Sequence, residues 1–118
     1  MNSKELEARL INFAVDIINL VKSNEDNYAG KHLSGQIIRS STSVPLNYGE
    51  AQSAESKKDF IHKMQLSLKE LRETYVNLRI IEKAKLNIKT ERIANLISEN
   101  NELISIFVRS VETSKKRL

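Results

Sequence analysis

Apolar side chains recur at intervals of three and four residues in four separate stretches, and this periodicity limits the fold more than any other feature of the sequence. The interval is that of an amphipathic helix, whose apolar stripe has to be covered by another element. The stretches predict helices over about residues 4–23, 32–53, 56–86 and 91–116. Short links between them favour antiparallel neighbours. The sequence therefore predicts an all-α fold, an antiparallel up-down four-helix bundle, with residues 1–118 as a single domain.

The composition agrees with long helices in a reducing compartment. Only three glycines and one proline interrupt the 118 residues, and the chain has no cysteine, which excludes disulfides and thiolate metal sites. The first residues lead straight into the amphipathic pattern without an apolar signal segment. No apolar run reaches the roughly 18 residues of a membrane span. We therefore expect a cytoplasmic protein outside the membrane.

Polar residues mark where the predicted helices begin. Ser3 and Thr90 stand where N-caps belong, and Ser56 is followed three residues later by Asp59, as in a capping box with Asp in place of Glu. Residues 24–31, which include a glycine, are predicted as a loop.

Each predicted helix contributes one stripe to the shared core. Asn100 falls on the stripe of the fourth helix, so a polar side chain is expected among apolar ones. The stripes consist of Leu6, Leu10, Phe13, Ile17 and Leu20, widened by Ile11, Ala14, Ile18 and Val21; Leu33, Ile37, Val44, Tyr48 and Ala51; Phe60, Met64, Leu68, Leu71, Tyr75 and Leu78; and Ile93, Ile97, Ile104, Phe107 and Val111.

The second predicted helix contains Pro45 directly after a run of hydroxyl residues at 40–43. A proline inside a helix loses one backbone hydrogen bond and clashes with the carbonyl four residues back, here that of Ser41. Either the chain turns at residues 43–46, or one helix continues with a kink. Because hydroxyl side chains and water can satisfy the freed carbonyl, we favour a proline-kinked second helix.

Positive charge is concentrated in the region of the third helix. The formal net charge is +4, but residues 56–90 carry nine basic and four acidic side chains. At 100° per residue, several of these cations share one face with Gln65 and His62. One interpretation is a solvated face, and the other is a surface that tracks nucleic-acid phosphates. The candidate binding residues are Lys58, Lys69, Arg72, Arg79 and Lys83, with Arg39 as an outlying candidate.

Other side chains of the second and third helices leave two interpretations open. Leu66 and Ile80 lie off the centre of the core stripe, where they either widen it or form a subunit interface. A buried charge has to be paired, so Arg39 is predicted to join Glu50 or Glu73 in a network that fixes the register of the bundle. Ordinary surface charge is the alternative. The candidate network comprises Arg39, Asn47, Glu50, Glu70 and Glu73.

Residue patterns of known catalytic and metal sites are missing. His32 and His62 lie 30 residues apart, and neither has a partner at the spacing of a ligand pair. There is no phosphate-binding glycine loop and no nucleophile elbow. We therefore expect no catalytic residues, no metal and no cofactor.

The segment from Ser40 to Glu50 resembles the four-helix bundle proteins encoded in intervening sequences of bacterial 23S rRNA genes. That family has an arginine, a Ser-rich stretch, a Val/Ile-Pro pair, an Asn and a Glu beside Gly. The matching residues are Arg39, Ser40, Val44, Pro45, Asn47 and Glu50, and the segments 56–60 and 67–74 match the family's third helix.

One departure concerns a glycine. The family usually has Ile-Ala-Glu-Gly where this chain has the residues Tyr48, Gly49, Glu50 and Ala51, so the glycine stands on the other side of the glutamate. The resemblance implies a kinked second helix and a ring-like homo-oligomer, namely a pentamer. The chain is also similar to the accessory protein of diversity-generating retroelements, a basic pentameric bundle that binds nucleic acid and a reverse transcriptase.

Charge pattern and resemblance together favour a non-enzymatic oligomeric bundle that binds the backbone of RNA or DNA through the third helix. The alternative is a scaffold that binds a protein partner without touching nucleic acid. Because no base-reading motif is present, any nucleic-acid binding is expected to be largely independent of sequence and sensitive to salt.

Overall fold

Four α-helices make up most of the part of the chain that the structure describes. The computed structural model describes residues 1–22, 27–86 and 89–118. The helices are α1 (Ser3–Val21), α2 (Tyr28–Gln52), α3 (Lys57–Lys83) and α4 (Thr90–Lys116), and the described residues contain no strand. The prediction of an all-α fold with four helices is confirmed. None of the helices, over the residues described, has a stretch both long and apolar enough for a membrane crossing.

The first helix begins one residue earlier than the sequence suggested. The side chain of Asn2 accepts a hydrogen bond from the backbone N–H of Glu5 at 2.8 Å, while the Glu5 carboxylate accepts one from the backbone N–H of Asn2. These two bonds form a capping box. The prediction of Ser3 as the cap is wrong because the glutamate that completes the box lies three residues after Asn2.

The second helix begins at Tyr28, four residues before its predicted start. Asn27 is its N-cap and accepts a hydrogen bond from the Gly30 amide at 2.8 Å. The predicted loop over residues 24–31 is therefore wrong for residues 28–31, whereas residues 24–26 lie outside the described residues. Gly30 was read as a loop residue, but it is helical and buried, and its amide bonds to the cap.

The predicted cap of α3 is confirmed, and that of α4 is wrong. The Ser56 hydroxyl accepts a hydrogen bond from the Asp59 amide at 3.0 Å. In α4 the carbonyl of Lys89 already accepts from the Ile93 amide, which makes Thr90 the first helical residue and not the cap.

The end of α3 carries a non-glycine residue in the left-handed region. Lys85 has φ 53°, its amide bonds to the Glu82 carbonyl, and the Leu86 amide bonds to the Ile81 carbonyl. This pair of bonds is the Schellman motif, which usually places glycine at the position of Lys85. Leu86 packs against the core.

The core follows the predicted stripes in α1 and departs from them in α3. The five central residues predicted for α1 are buried, and so are two of the four that widen the stripe. The prediction is wrong for Ile11, which is exposed, and Ile18 is only half-buried. In α3, however, Phe60, Leu68 and Tyr75 are only half-buried. Met64, Leu71 and Leu78 are buried as predicted, and the other inner positions are Ile61, Ser67, Thr74 and Ile81. The stripe is rotated by about 30° from the prediction because two small hydroxyl residues face α2.

A similar shift occurs in α4. Ile97 and Ile104 are half-buried, whereas Leu96 and Leu103 are buried. Asn100 is fully buried, as its place on the predicted stripe indicated. Its Nδ2 donates a hydrogen bond to the Leu71 carbonyl of α3 at 3.0 Å.

Buried hydroxyls join α2 to α3. Ser40 and Thr74 form a hydrogen bond of 2.8 Å, and the Ser67 hydroxyl donates to the Val44 carbonyl at 3.0 Å. Along these contacts the α3 numbers fall as the α2 numbers rise, which is the order of antiparallel neighbours. The start of α2 therefore lies beside the end of α3.

Pro45 lies inside a continuous helix, so the alternative of a turn at residues 43–46 is wrong. The neighbouring hydroxyls bond to carbonyls before that of Ser41: Thr42 donates to Ile38 and Ser43 donates to Arg39, both at 2.7 Å. A bend of α2 at Pro45 stays a prediction.

Candidate nucleic-acid interface

The outer face of α3 carries four exposed cations. Helical spacing places Lys58, Lys69, Arg72 and Lys83 opposite the buried residues of the same helix, and all four are exposed. Within the described part of the chain, none of these four side chains forms an ion pair. Their charge is therefore available to an anion in solution. We call these four residues the basic face.

The fifth predicted cation of α3 is tethered. The Arg79 Nη1 donates to the Tyr75 hydroxyl at 2.9 Å, and its Nε lies 3.3 Å from a Glu82 carboxylate oxygen. Its guanidinium also lies 5.8 Å from the centre of the Tyr75 ring. The hydrogen bond to Tyr75, followed by the charge interactions with Tyr75 and Glu82, raises the pKa of Arg79. Arg79 is thus less available to an external phosphate than the basic face.

Arg39 of α2 bridges to two carboxylates of α3. Its Nη1 donates to Glu70 at 3.0 Å and its Nη2 donates to Glu73. The hydrogen bond to Glu73 and the charge of Glu70 raise the pKa of Arg39. Its side chain is 58% exposed, so this pairing is at the surface and not in the core. Because one guanidinium faces two carboxyl groups, the cluster offers less positive charge than an unpaired arginine would.

The rest of the predicted polar network bonds elsewhere. Glu50 pairs with Lys63 of α3 at 3.4 Å, and the Asn47 amide donates to the Ser43 carbonyl of its own helix at 3.1 Å. The structure therefore brings Arg39 together with Glu70 and Glu73, and it places Asn47 and Glu50 apart from them.

An open depression of about 840 Å³ covers the middle of this surface. Lys69 and Arg72 contribute cations, and Gln36 and Gln65 contribute amides from α2 and α3. Val76 lies in the same depression and is 54% exposed. Cations and amides can both donate hydrogen bonds to phosphate oxygens. The depression could therefore hold an anionic chain laid along α3.

Two of the lining residues were missed by the sequence interpretation. Gln36 lies one turn before Arg39 on the same side of α2, a spacing that could have identified it. Val76 lies at the centre of the angular range of the basic face, but an apolar residue gives no charge signal. Leu66 is half-buried and Ile80 is 43% exposed, so the two residues considered for a wide core or an interface differ in exposure.

A second charged cluster lies on the opposite side of the bundle. Arg9 of α1 donates to Glu99 at 2.6 and 2.7 Å and to Glu102 at 2.8 Å. The hydrogen bonds from Arg9 lower the pKa of Glu99. This cluster joins α1 to α4 and is an internal contact of the bundle.

The histidines and acidic residues do not converge. His32 and His62 are both exposed. In the residues described, no three His, Cys, Asp or Glu side chains come together as a metal site would need.

Comparison with known proteins places this fold in a known group. The model of the family described as 23S rRNA-intervening sequence protein matches residues 5–109. A solved structure, described as a protein with unknown function from the S23 ribosomal protein family from Bacteroides thetaiotaomicron, superposes with a TM-score of 0.84 at 29% identity. The match covers 95% of this chain and 99% of that one. No curated protein matches significantly. The resemblance to the intervening-sequence family is confirmed.

Proposed function

The chain belongs to the 23S rRNA-intervening sequence protein family, and we propose that it is a cytoplasmic, non-enzymatic protein that binds the phosphate backbone of RNA or DNA. The basic face carries the proposal, because four exposed and unpaired cations on one rigid helix suit a polyanion. The cations extend from Lys58 to Lys83, which is about 37 Å of helix.

The electrostatics set the expected salt dependence. Each phosphate neutralised releases counterions, and the logarithm of the binding constant falls with the logarithm of salt by about 0.9 per contact for duplex and 0.7 for single strands. Four contacts give slopes of about −3.6 and −2.8 per engaged subunit. Between 50 and 300 mM salt, binding should weaken by roughly two orders of magnitude or more.

Fluorescence anisotropy with labelled RNA and DNA over this range of salt tests the proposal. Arg72→Gln should weaken binding similarly for all sequences and reduce the slope by about one contact. Arg109→Gln is the matched control, because Arg109 is an exposed arginine of α4 outside the basic face. Absence of binding to any RNA or DNA at 50 mM salt would refute the proposal, as would equal effects of the two substitutions.

Arg39 and Arg79 were also predicted to bind, and their pairing suggests a smaller role. Removing a cation that already neutralises Glu73 or Glu82 should change the affinity without removing a full phosphate contact. We therefore expect Arg39→Gln and Arg79→Gln to leave the salt slope nearer the wild-type value than Arg72→Gln does.

A protein scaffold is the second candidate function, and exposed apolar side chains favour it. Val76 and Ile80 are 54% and 43% exposed and lie one turn apart on α3. Together with Tyr75, Arg79, Lys83 and Ala84 they line a second shallow depression. A partner captured by the purified protein that stays bound after nuclease treatment and at high salt would favour this candidate over the first.

We propose in addition that the chain forms a homo-oligomer, with a pentamer as the expected ring. The family resemblance motivates the ring, and α1 offers a surface for it, since Ile11 and Val15 are each 46% exposed one turn apart. Light scattering of the purified protein, with and without RNA, measures the subunit number. Ile11→Glu should reduce it and the neighbouring exposed control Asn12→Glu should not. A monomer at all concentrations would contradict the proposal.

A further inference from the structure

An exposed pair of stacked aromatic rings stands at the start of α2. Tyr28 is 84% exposed, and its ring lies 6.0 Å from that of His32 at an angle of 14° between planes. His32 is also exposed. A side chain this accessible contributes little apolar burial to the fold, so the pair keeps one aromatic surface open to solvent.

The pair faces the same side of the molecule as the proposed interface. At 100° per residue, Tyr28, His32 and Gln36 all lie within about 60° of Arg39 on α2. Gln36 and Arg39 line the depression over the basic face. The pair therefore continues the edge of this depression along α2.

The register of α2 and α3 places the pair at the same level along the bundle as a cation. The contacts between Ser40 and Thr74 and between Val44 and Ser67 put the first turn of α2 next to the last turn of α3. That last turn carries Lys83, the final residue of the basic face. An aromatic surface and a line of cations thus both extend to the same end of the bundle.

We propose that the Tyr28–His32 pair stacks an unpaired base of a single-stranded nucleic acid whose phosphates lie along the basic face. This inference rests on the proposed function and makes it specific. Stacking on a protein ring needs a free base face, which a single strand offers and the interior of a duplex does not. Because every base has such a face, the contact adds affinity without selecting a sequence.

The test compares strands with and without available bases. Anisotropy is measured with an unstructured 20-nucleotide RNA, the DNA of the same sequence, each duplex, and a strand whose bases are replaced by abasic sites. Tyr28→Ala should weaken binding of the single strands by about 5- to 150-fold and leave duplex and abasic strands nearly unchanged. Comparing RNA with DNA shows whether the sugar contributes.

Two variants control for other causes. Tyr28→Phe keeps the ring and should bind nearly as the wild type does. Leu46→Ala removes an exposed apolar side chain from the same face of α2, and it should not reduce binding. The chain has three tyrosines and no tryptophan, so base stacking should also quench tyrosine fluorescence, and Tyr28→Phe should remove that quenching.

The outcomes separate the inference from the proposed function. If Arg72→Gln weakens binding but Tyr28→Ala leaves single strands unaffected, the stacking role is overturned and backbone binding stands. The same holds if Tyr28→Ala weakens duplex and single strands equally. If the wild-type protein binds no oligonucleotide, both base stacking and backbone binding are refuted, and the protein scaffold becomes the leading candidate function.

Discussion

The amide of Asn100 occupies an unusual position, and its replacement should stabilise the protein. The side chain is fully buried, its Nδ2 bonds to the Leu71 carbonyl, and its Oδ1 has no partner among the described residues. A buried acceptor without a hydrogen bond costs about 1–3 kcal/mol. The Leu71 carbonyl lies inside α3, so it does not depend on Asn100 alone.

Asn100→Leu replaces the amide by an apolar side chain that has the same branched skeleton and a larger volume. The change removes the unpaired oxygen and adds roughly 1.5–3 kcal/mol of apolar burial. It loses one hydrogen bond of about 0.5–1.5 kcal/mol, and fitting the larger side chain into a fully buried site costs about 1–3 kcal/mol. Set against each other at mid-range, the gains exceed the losses, and we expect the free energy of unfolding to rise by about 1 kcal/mol.

Urea unfolding followed by circular dichroism measures this difference. Protein concentration has to be the same for all variants, because self-association would make the apparent stability depend on it. Asn100→Ala serves as the control, since it also removes the unpaired oxygen but leaves a cavity, and it should be about 2–5 kcal/mol less stable than Asn100→Leu. A loss of more than about 1 kcal/mol in Asn100→Leu would show that Oδ1 is satisfied in solution, for example by an ordered water, and would refute the reasoning.

Three further substitutions test other features of the fold by the same unfolding measurement. Lys85→Gly should raise the free energy of unfolding by about 1 kcal/mol, since glycine adopts the left-handed conformation without strain. Ala84→Gly is the control, and it should not raise the free energy of unfolding because Ala84 has a right-handed backbone conformation. Ser67→Leu should lower it by about 1–3 kcal/mol because Ser67 is fully buried against the backbone of α2, whereas the exposed control Gln65→Leu should have little effect. The ion pair with Arg9 lowers the pKa of Glu99 in the folded protein. The pair therefore stabilises the fold fully above the unfolded pKa near 4.5, and this stabilisation is lost as the pH falls through the lower pKa of the folded state. Unfolding at pH 3 to 7 should therefore show a smaller loss of stability on acidification for Glu99→Gln than for the wild type, and an equal loss would contradict the pairing.

Periodicity was enough to predict the number of helices and much of the core. The five central apolar residues predicted for α1 are buried because a long amphipathic helix can remove its apolar stripe from water only by packing that face against the other helices. Asn100 was also placed correctly, since burial follows helical position and not residue type. The ends of the helices were less predictable, and Tyr28 shows why: Gly30 suggested a loop, but the Asn27 cap holds it in the helix.

Contacts between helices could not be derived from one sequence. Ser67 and Thr74 have polar side chains, so the apolar periodicity did not place them in the core. They nevertheless face α2, where small side chains allow the helices to approach. Their presence turned the stripe of α3 away from Phe60, Leu68 and Tyr75. The partners of Arg39 depend on this rotation and on the register of α2, which periodicity alone does not fix. The sequence therefore predicted the cations of the candidate site, but it could not predict which of them remain unpaired.

The hydroxyl contacts between α2 and α3 have a consequence for any long ligand. In the interior, Ser40 bonds to Thr74 and Ser67 donates to the Val44 carbonyl, while Arg39 spans the same two helices outside. The two helices should therefore behave as one stiff body. The separation between the aromatic pair and the cations is then set before a ligand arrives. Binding of a strand whose geometry matches that separation then costs less conformational entropy than it would if the protein had to rearrange.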